Sequence, residues 1–181
     1  QDSENLTTLK LNFTADGVTK TFAFKDLDGI GGNAPVVDNI SLDANKTYSV
    51  TVQVLDESKS PAEDITTEIE EENFEHLFVY TPTPSNLLTI TRTDKDNRNL
   101  EVGLKASAVT TNAGTGTLRV VLYHQPPQNG VPIKDGTAKG STDFDAQFNT
   151  NVKGPYFTLQ KMIPFLADGG AVVFTSSTVA T

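Results

Sequence analysis

Apolar and polar residues alternate with a period of two along much of this chain. Leu9, Leu11 and Phe13 alternate with Lys10 and Asn12, and the pattern resumes in Val18-Thr19-Lys20-Thr21-Phe22-Ala23-Phe24 after the turn Ala15-Asp16-Gly17. Successive side chains of a strand point to opposite faces, so such runs predict strands with one buried face. An Asp-Gly pair between two of them predicts a hairpin. Further strands are predicted over Thr47–Leu55, His76–Thr81, Leu87–Thr93, Val102–Thr110, Thr117–His124 and Asp143–Val152.

Turn-forming stretches separate these runs. Asp26 to Asp43 is rich in Gly, Asp and Pro, and Gln125 to Ser141 is rich in Pro and Gly. Asp56 to Asn73 is an acidic linker that admits a short helix, weakened by Thr66-Thr67 and by like charges at Glu68, Glu70, Glu71 and Glu72. Polar turns are expected at Asp94 to Asn99 and at Asn112 to Gly116. The expected fold is mainly β: an antiparallel β-sandwich of about eight strands. Uneven runs and two long loops favour a sandwich over a barrel.

The pattern changes at Gly154. Pro155 to Leu166 reads as a helix, with Pro155 near its start and Pro164 able to kink or end it. Asp168-Gly169-Gly170 then turns the chain into Ala171-Val172-Val173-Phe174-Thr175, a continuous apolar run typical of a strand buried on both faces. The organisation expected is a polar tether (1–5), a β-sandwich domain (6–153) and a helix–turn–strand tail (154–181). The apolar side chains of the tail need a partner surface: the tail packs on the sandwich, adds its strand to a sheet edge, or mediates association.

Composition narrows the partners. Acids outnumber bases 23 to 14, for a net charge of −9, which disfavours nucleic acid and anionic lipid surfaces. There is no cysteine, so disulfides and thiolate metal sites are excluded. The two histidines, His76 and His124, lie far apart in sequence, which disfavours a His-rich zinc site. No apolar run reaches the length of a membrane span. The polar opening Gln1-Asp2-Ser3-Glu4-Asn5 reads as a mature terminus from which a targeting segment has been removed.

Two motifs offer cation chemistry. Asp26-x-Asp28-Gly29-x-Gly31 carries the alternating oxygen donors of a calcium loop. Asp94-x-Asp96-Asn97-x-Asn99 is a weaker version. Asp26, Asp28, Asp94 and Asp96 are thus candidate Ca²⁺ ligands, and the two loops would share an ion if they met at one end of the fold. The competing role for each is a structural turn. Glu72-x-x-x-His76 has the spacing of a metal pair on a helix, although His76 opens an apolar strand run, which favours a structural role.

Two family resemblances cover the chain. Phe24-Lys25-Asp26-Leu27-Asp28-Gly29-Ile30-Gly31-Gly32-Asn33-Ala34-Pro35, Ser60-Pro61-Ala62-Glu63-Asp64-Ile65-Thr66 with the Glu run after it, Thr93-Asp94-Lys95-Asp96 and Gly116-Thr117-Leu118 occur in that order. Through them residues 6–153 resemble a family of small secreted lipoproteins of Bacteroidota-type bacteria. The resemblance implies a cell-envelope β-sandwich tethered through a lipidated cysteine upstream of Gln1, and it implies no enzymatic activity. Residues 144–181 resemble a fragment of a short-chain dehydrogenase/reductase, through Phe144-Asp145, Asn149-Thr150-Asn151-Val152-Lys153-Gly154-Pro155-Tyr156-Phe157 and Gly169-Gly170-Ala171-Val172-Val173-Phe174-Thr175-Ser176-Ser177. That resemblance implies a proton-relay role at Asn151 and a carbonyl-orienting role at Ser177. The family's Tyr-x-x-x-Lys pair and its dinucleotide-binding glycine turn have no counterpart here, so a fragment inactive alone is expected. Because Phe144 to Lys153 fits both patterns, a fusion through that stretch is a further expectation. A non-catalytic envelope domain with a structural or binding role, with calcium as a candidate stabiliser, is the function expected.

Overall fold

The computed structural model describes residues 5–29, 32–134 and 140–153. They form a mainly β fold of two sheets. Strands β1 (Thr8–Ala15) and β2 (Val18–Lys25) make the predicted hairpin, with Asp16 and Gly17 both at positive φ in its turn. After it come β3 (Val36–Val37), β4 (Ile40–Asp43), β5 (Thr47–Asp56), β6 (Glu63–Asp64) and a short helix, α1 (Thr66–Glu71). The chain continues through β7 (His76–Thr83), β8 (Leu88–Arg92), β9 (Lys105–Thr110), β10 (Gly114–His124) and β11 (Ser141–Lys153).

One sheet has the order β3-β2-β1-β5-β9-β8, with β6 also paired to β5; the other has the order β4-β11-β10-β7. All pairings are antiparallel except β4 with β11, which is parallel. The sheets do not close into a barrel. The eight predicted runs all appear as strands, with shifted ends: β10 starts at Gly114, inside the stretch expected to turn. The additional strands β3, β4 and β6 are only two to four residues long and lie in stretches read as loop or linker. The predicted tail (154–181) and Ser177 lie outside the described residues, as does most of the tether (1–5).

Alternation places one face of each strand in a common core. Leu9, Leu11 and Phe13 of β1 and Val50, Val52 and Val54 of β5 meet Leu118, Val120 and Leu122 of β10 and Phe144, Ala146 and Phe148 of β11 in one buried cluster. Phe24 of β2 reaches across to the second sheet, packing edge-on against Phe144 (5.6 Å between centroids) and Phe148 (6.2 Å). Such edge contacts add about 0.5–1.5 kcal/mol beyond the burial of the rings.

The edge strand β7 shows how a free edge is managed. It carries Pro82, tolerated because only its β10 side is laddered. On its other side Phe78 N donates to Val102 O (2.7 Å), Arg92 Nη1 donates to Phe78 O (3.1 Å), and the Tyr80 hydroxyl donates to Gly103 O (2.5 Å). These bonds tie the second sheet to the end of β8 and to the connection between β8 and β9 of the first. Burial also pushes the Tyr80 phenol far above its ordinary range, so it remains a hydrogen-bond donor.

Phe148 is fully buried between the sheets. Phe148→Ala is expected to cost about 3–5 kcal/mol in urea unfolding, whereas Thr91→Ala on the wet face should change stability by no more than about 0.5 kcal/mol.

Candidate functional site

The titratable side chains converge at the end of the second sheet where β7 begins, β10 ends and β11 begins. His76 and His124 are cross-strand partners in the β7–β10 register. Their rings stack with centroids 5.0 Å apart and planes 15° apart. Distance in sequence therefore did not keep the two histidines apart, because a hairpin-like register brings the start of one strand beside the end of another.

Each ring has its own acid. His76 Nε2 lies 3.7 Å from Asp143 Oδ2, and His124 Nε2 lies 3.5 Å from Glu75 Oε1. Asp143 is aimed by a bulge: the β10–β11 register shifts between Leu122 and Tyr123, pairing Leu122 with Phe144 and Tyr123 with Thr142, so Asp143 falls out of the ladder. Bulges re-aim side chains in this way. His76 Nδ1 lies 3.1 Å from the Glu72 carbonyl oxygen. A carbonyl only accepts, so Nδ1 carries the hydrogen and the neutral ring has a bare Nε2. His124 Nε2 is buried and makes no hydrogen bond among the described residues. Burial holds His76 below the ordinary imidazole range, partly offset by the Glu72 carbonyl and the Asp143 charge. Burial raises Asp143 above the ordinary carboxylate range.

A second polar centre joins connections before β7, between β8 and β9, and after β10. Lys134, in the segment after β10, has its ammonium 2.6 Å from the Asn73 carbonyl oxygen and 3.0 Å from Asp96 Oδ2. Both side chains of this ion pair are 0% exposed. Gln125 N also donates to Glu75 O (2.5 Å), and a Cβ placed at Gly140 would overlap the His124 carbonyl oxygen, so backbone packs closely on both sides of that strand end.

The four candidate calcium ligands are engaged in loop-fixing bonds. Asp26 Oδ1 accepts from Gly29 N (3.0 Å) in a turn that needs the glycine's positive φ of 74°. Asp28 Oδ2 accepts from Asn33 N (2.9 Å) and Asn33 Nδ2 (2.6 Å), which lower its pKa. Asp94 Oδ1 accepts from Gly103 N (2.8 Å). Asp96 Oδ1 accepts from Arg98 N and Leu100 N, both at 2.9 Å, while Oδ2 faces Lys134. Burial pushes the Asp96 carboxyl up; the Leu100 and Arg98 N–H groups and the Lys134 ammonium outweigh it and hold it below its ordinary value.

The two acidic loops point toward the same end of the first sheet but follow strands β2 and β8, four strand spacings apart in the sheet order. At about 4.8 Å per strand that is roughly 19 Å, too far for one ion to bridge. Among the described residues no group of three or more His, Cys, Asp and Glu side chains is placed to hold a metal ion. The Glu72–His76 pair departs from its helical reading: α1 ends at Glu71, His76 opens β7, and the imidazole meets the Glu72 carbonyl rather than its carboxylate.

Asn151 lies in β11, opposite Thr115 of β10 and Ser41 of β4, within an all-β sheet. The Ser141 hydroxyl faces Asp143 (3.5 Å) rather than an imidazole, which is not the contact that activates a nucleophile. What this end of the fold offers is a stacked imidazole pair with a carboxylate beside each ring, and in the connections a desolvated amine–carboxylate pair. Sequence reasoning missed His124, Asp143 and Lys134 as partners in it. The one signal available was that both histidines sit at the ends of predicted strands.

No protein-family model, no curated protein and no solved structure matches the chain.

The folded protein holds His76 below its free value, so the unfolded chain takes up that proton first. Stability should therefore fall as pH drops through the unfolded value of about 6.5. Asp143, whose pKa is raised, acts in the opposite sense where carboxyls titrate. Melting followed from about pH 7.5 to about pH 5.5 should show this loss, and His76→Gln should flatten it; an unchanged slope in the variant would remove His76 from the account.

Proposed function

We propose that this chain is a non-catalytic β-sandwich domain of a bacterial cell envelope, with a structural or binding role. One observation carries the reading. The carboxylates that offered metal chemistry accept hydrogen bonds from backbone amides of their own loops, or from a buried lysine. Groups used in this way fix loop shape. They hold the connections at one end of two packed sheets in a defined arrangement, as an interaction scaffold requires.

The acidic balance of the chain supports a partner other than nucleic acid or an anionic membrane surface. The envelope location and an upstream lipid anchor rest on the lipoprotein resemblance of residues 6–153. The apolar segment 155–181 supplies the proposed surface for self-association.

The reading is tested by titrating the protein with millimolar calcium in a calorimeter and with reduced nicotinamide cofactor in a fluorimeter. Neither is expected to give a saturable signal. Saturable heat with calcium would make the acidic loops an ion site, and saturable cofactor binding would favour the dehydrogenase-like fragment. The coding sequence upstream of Gln1 is expected to supply a lipidation cysteine; a cytoplasmic start codon directly before Gln1 would remove the envelope assignment.

A further inference from the structure

Lys134 is an unusual lysine for a connecting segment. Its side chain is 0% exposed, and so is that of Asp96, its partner at 3.0 Å. Lysine normally keeps its ammonium in water, and a buried ion pair seldom repays the loss of hydration of both groups. The pair joins three separate connections: Asn73 before β7, Asp96 between β8 and β9, and Lys134 between β10 and β11. The chain has no cysteine with which to fasten these connections covalently.

The two oxygens of Asp96 have different surroundings. Oδ1 lies in a cradle of two backbone N–H groups, those of Arg98 and Leu100, each at 2.9 Å. Oδ2 faces the Lys134 nitrogen. Among the described residues the nitrogen has one other hydrogen-bond acceptor, the Asn73 carbonyl oxygen at 2.6 Å. One oxygen held by paired amide donors, the other beside an amine, and a fixed acceptor for a remaining N–H together form the environment of an acyl-transfer centre.

We propose that Lys134 and Asp96 form an intramolecular amide bond, a side-chain cross-link between the β10–β11 connection and the β8–β9 connection. The ammonium passes one proton to Oδ2 across the 3.0 Å hydrogen bond, leaving a neutral amine beside a neutral carboxylic acid. Burial disfavours both charged forms and pushes the Lys134 ammonium toward deprotonation, while the Leu100 and Arg98 N–H groups work the other way and hold the Asp96 carboxyl below its ordinary value; the neutral pair is the reactive form through which the step passes. The amine nitrogen bonds to Asp96 Cγ, and the negative charge develops on Oδ1 between the two N–H donors. A second proton moves from the nitrogen to the Oδ2 hydroxyl, the Cγ–Oδ2 bond breaks, and one water leaves. The product amide keeps a single N–H, directed at the Asn73 carbonyl. The reaction consumes no oxidant and no cofactor.

The full chain, unfolded in denaturant, tests this by intact-mass spectrometry followed by protease digestion. The expected result is a mass one water below that of the sequence, together with a joined peptide containing both Asp96 and Lys134. Lys134→Arg, which keeps the charge but lacks the nucleophilic amine, should recover the full mass. Full mass with separate peptides in the unaltered chain would overturn the proposal. So would a water loss without joined peptides, which cyclisation at Asp16-Gly17 or Asp28-Gly29 would also produce. The measurement on the unaltered chain decides the matter whether or not the variant folds.

Discussion

Phe24, Phe144 and Phe148 meet edge to face between the two sheets, and the packing of this interior sets the rest of the structure. Each sheet has one face that water disfavours, and neither can bury it alone. Leu9, Leu11 and Phe13 from one side and Leu118, Val120 and Leu122 from the other are all fully buried. At about 1.5–3 kcal/mol for a large apolar side chain taken out of water, a dozen such residues outweigh any single polar contact in the molecule. Strand register follows from this burial, because a slip of one residue would turn a strand's apolar set outward.

At the end of the second sheet polar groups follow different rules. Once the core has fixed where β7, β10 and β11 end, a buried His76 meets a half-buried His124 and Asp143 at that end of the sheet, while Lys134 and Asp96 pair between the connections. Buried polar groups must find partners or lose their charge. Here they do both: burial disfavours the charged form of His76, whose Nδ1 hydrogen is donated to a backbone carbonyl, and Lys134 is sealed against a carboxylate. The acids of the exposed loops are bound too, but to nearby amides, so they shape turns instead of meeting one another.

The strands were legible because alternation is a local property. Thr47 to Leu55 reads as a strand with no knowledge of its neighbours, and β5 occupies Thr47–Asp56. Ile40–Asp43 was not legible: four residues beside a Gly- and Pro-rich stretch form a strand only because β11 lies alongside in parallel register. The polar end was less legible still. Asp143 reaches His76 through a bulge, and the bulge is visible only in the pairing of β11 with β10. Nothing in the sequence around Lys134 distinguishes it from an exposed lysine, since its burial depends on connections that come together from three parts of the chain.

What the sequence determined by itself is the class of fold, the position of most strands, the hairpin at Asp16-Gly17 and the acidic character of the surface, because each follows from short-range pattern or composition. Tertiary structure alone decided that the two sheets share one core, that two distant histidines stack, that four loop acids do not converge, and that a lysine is buried against Asp96. Those outcomes depend on register, on strand order and on which ends of the strands coincide. They are long-range properties of packing, and no local pattern of residues encodes them.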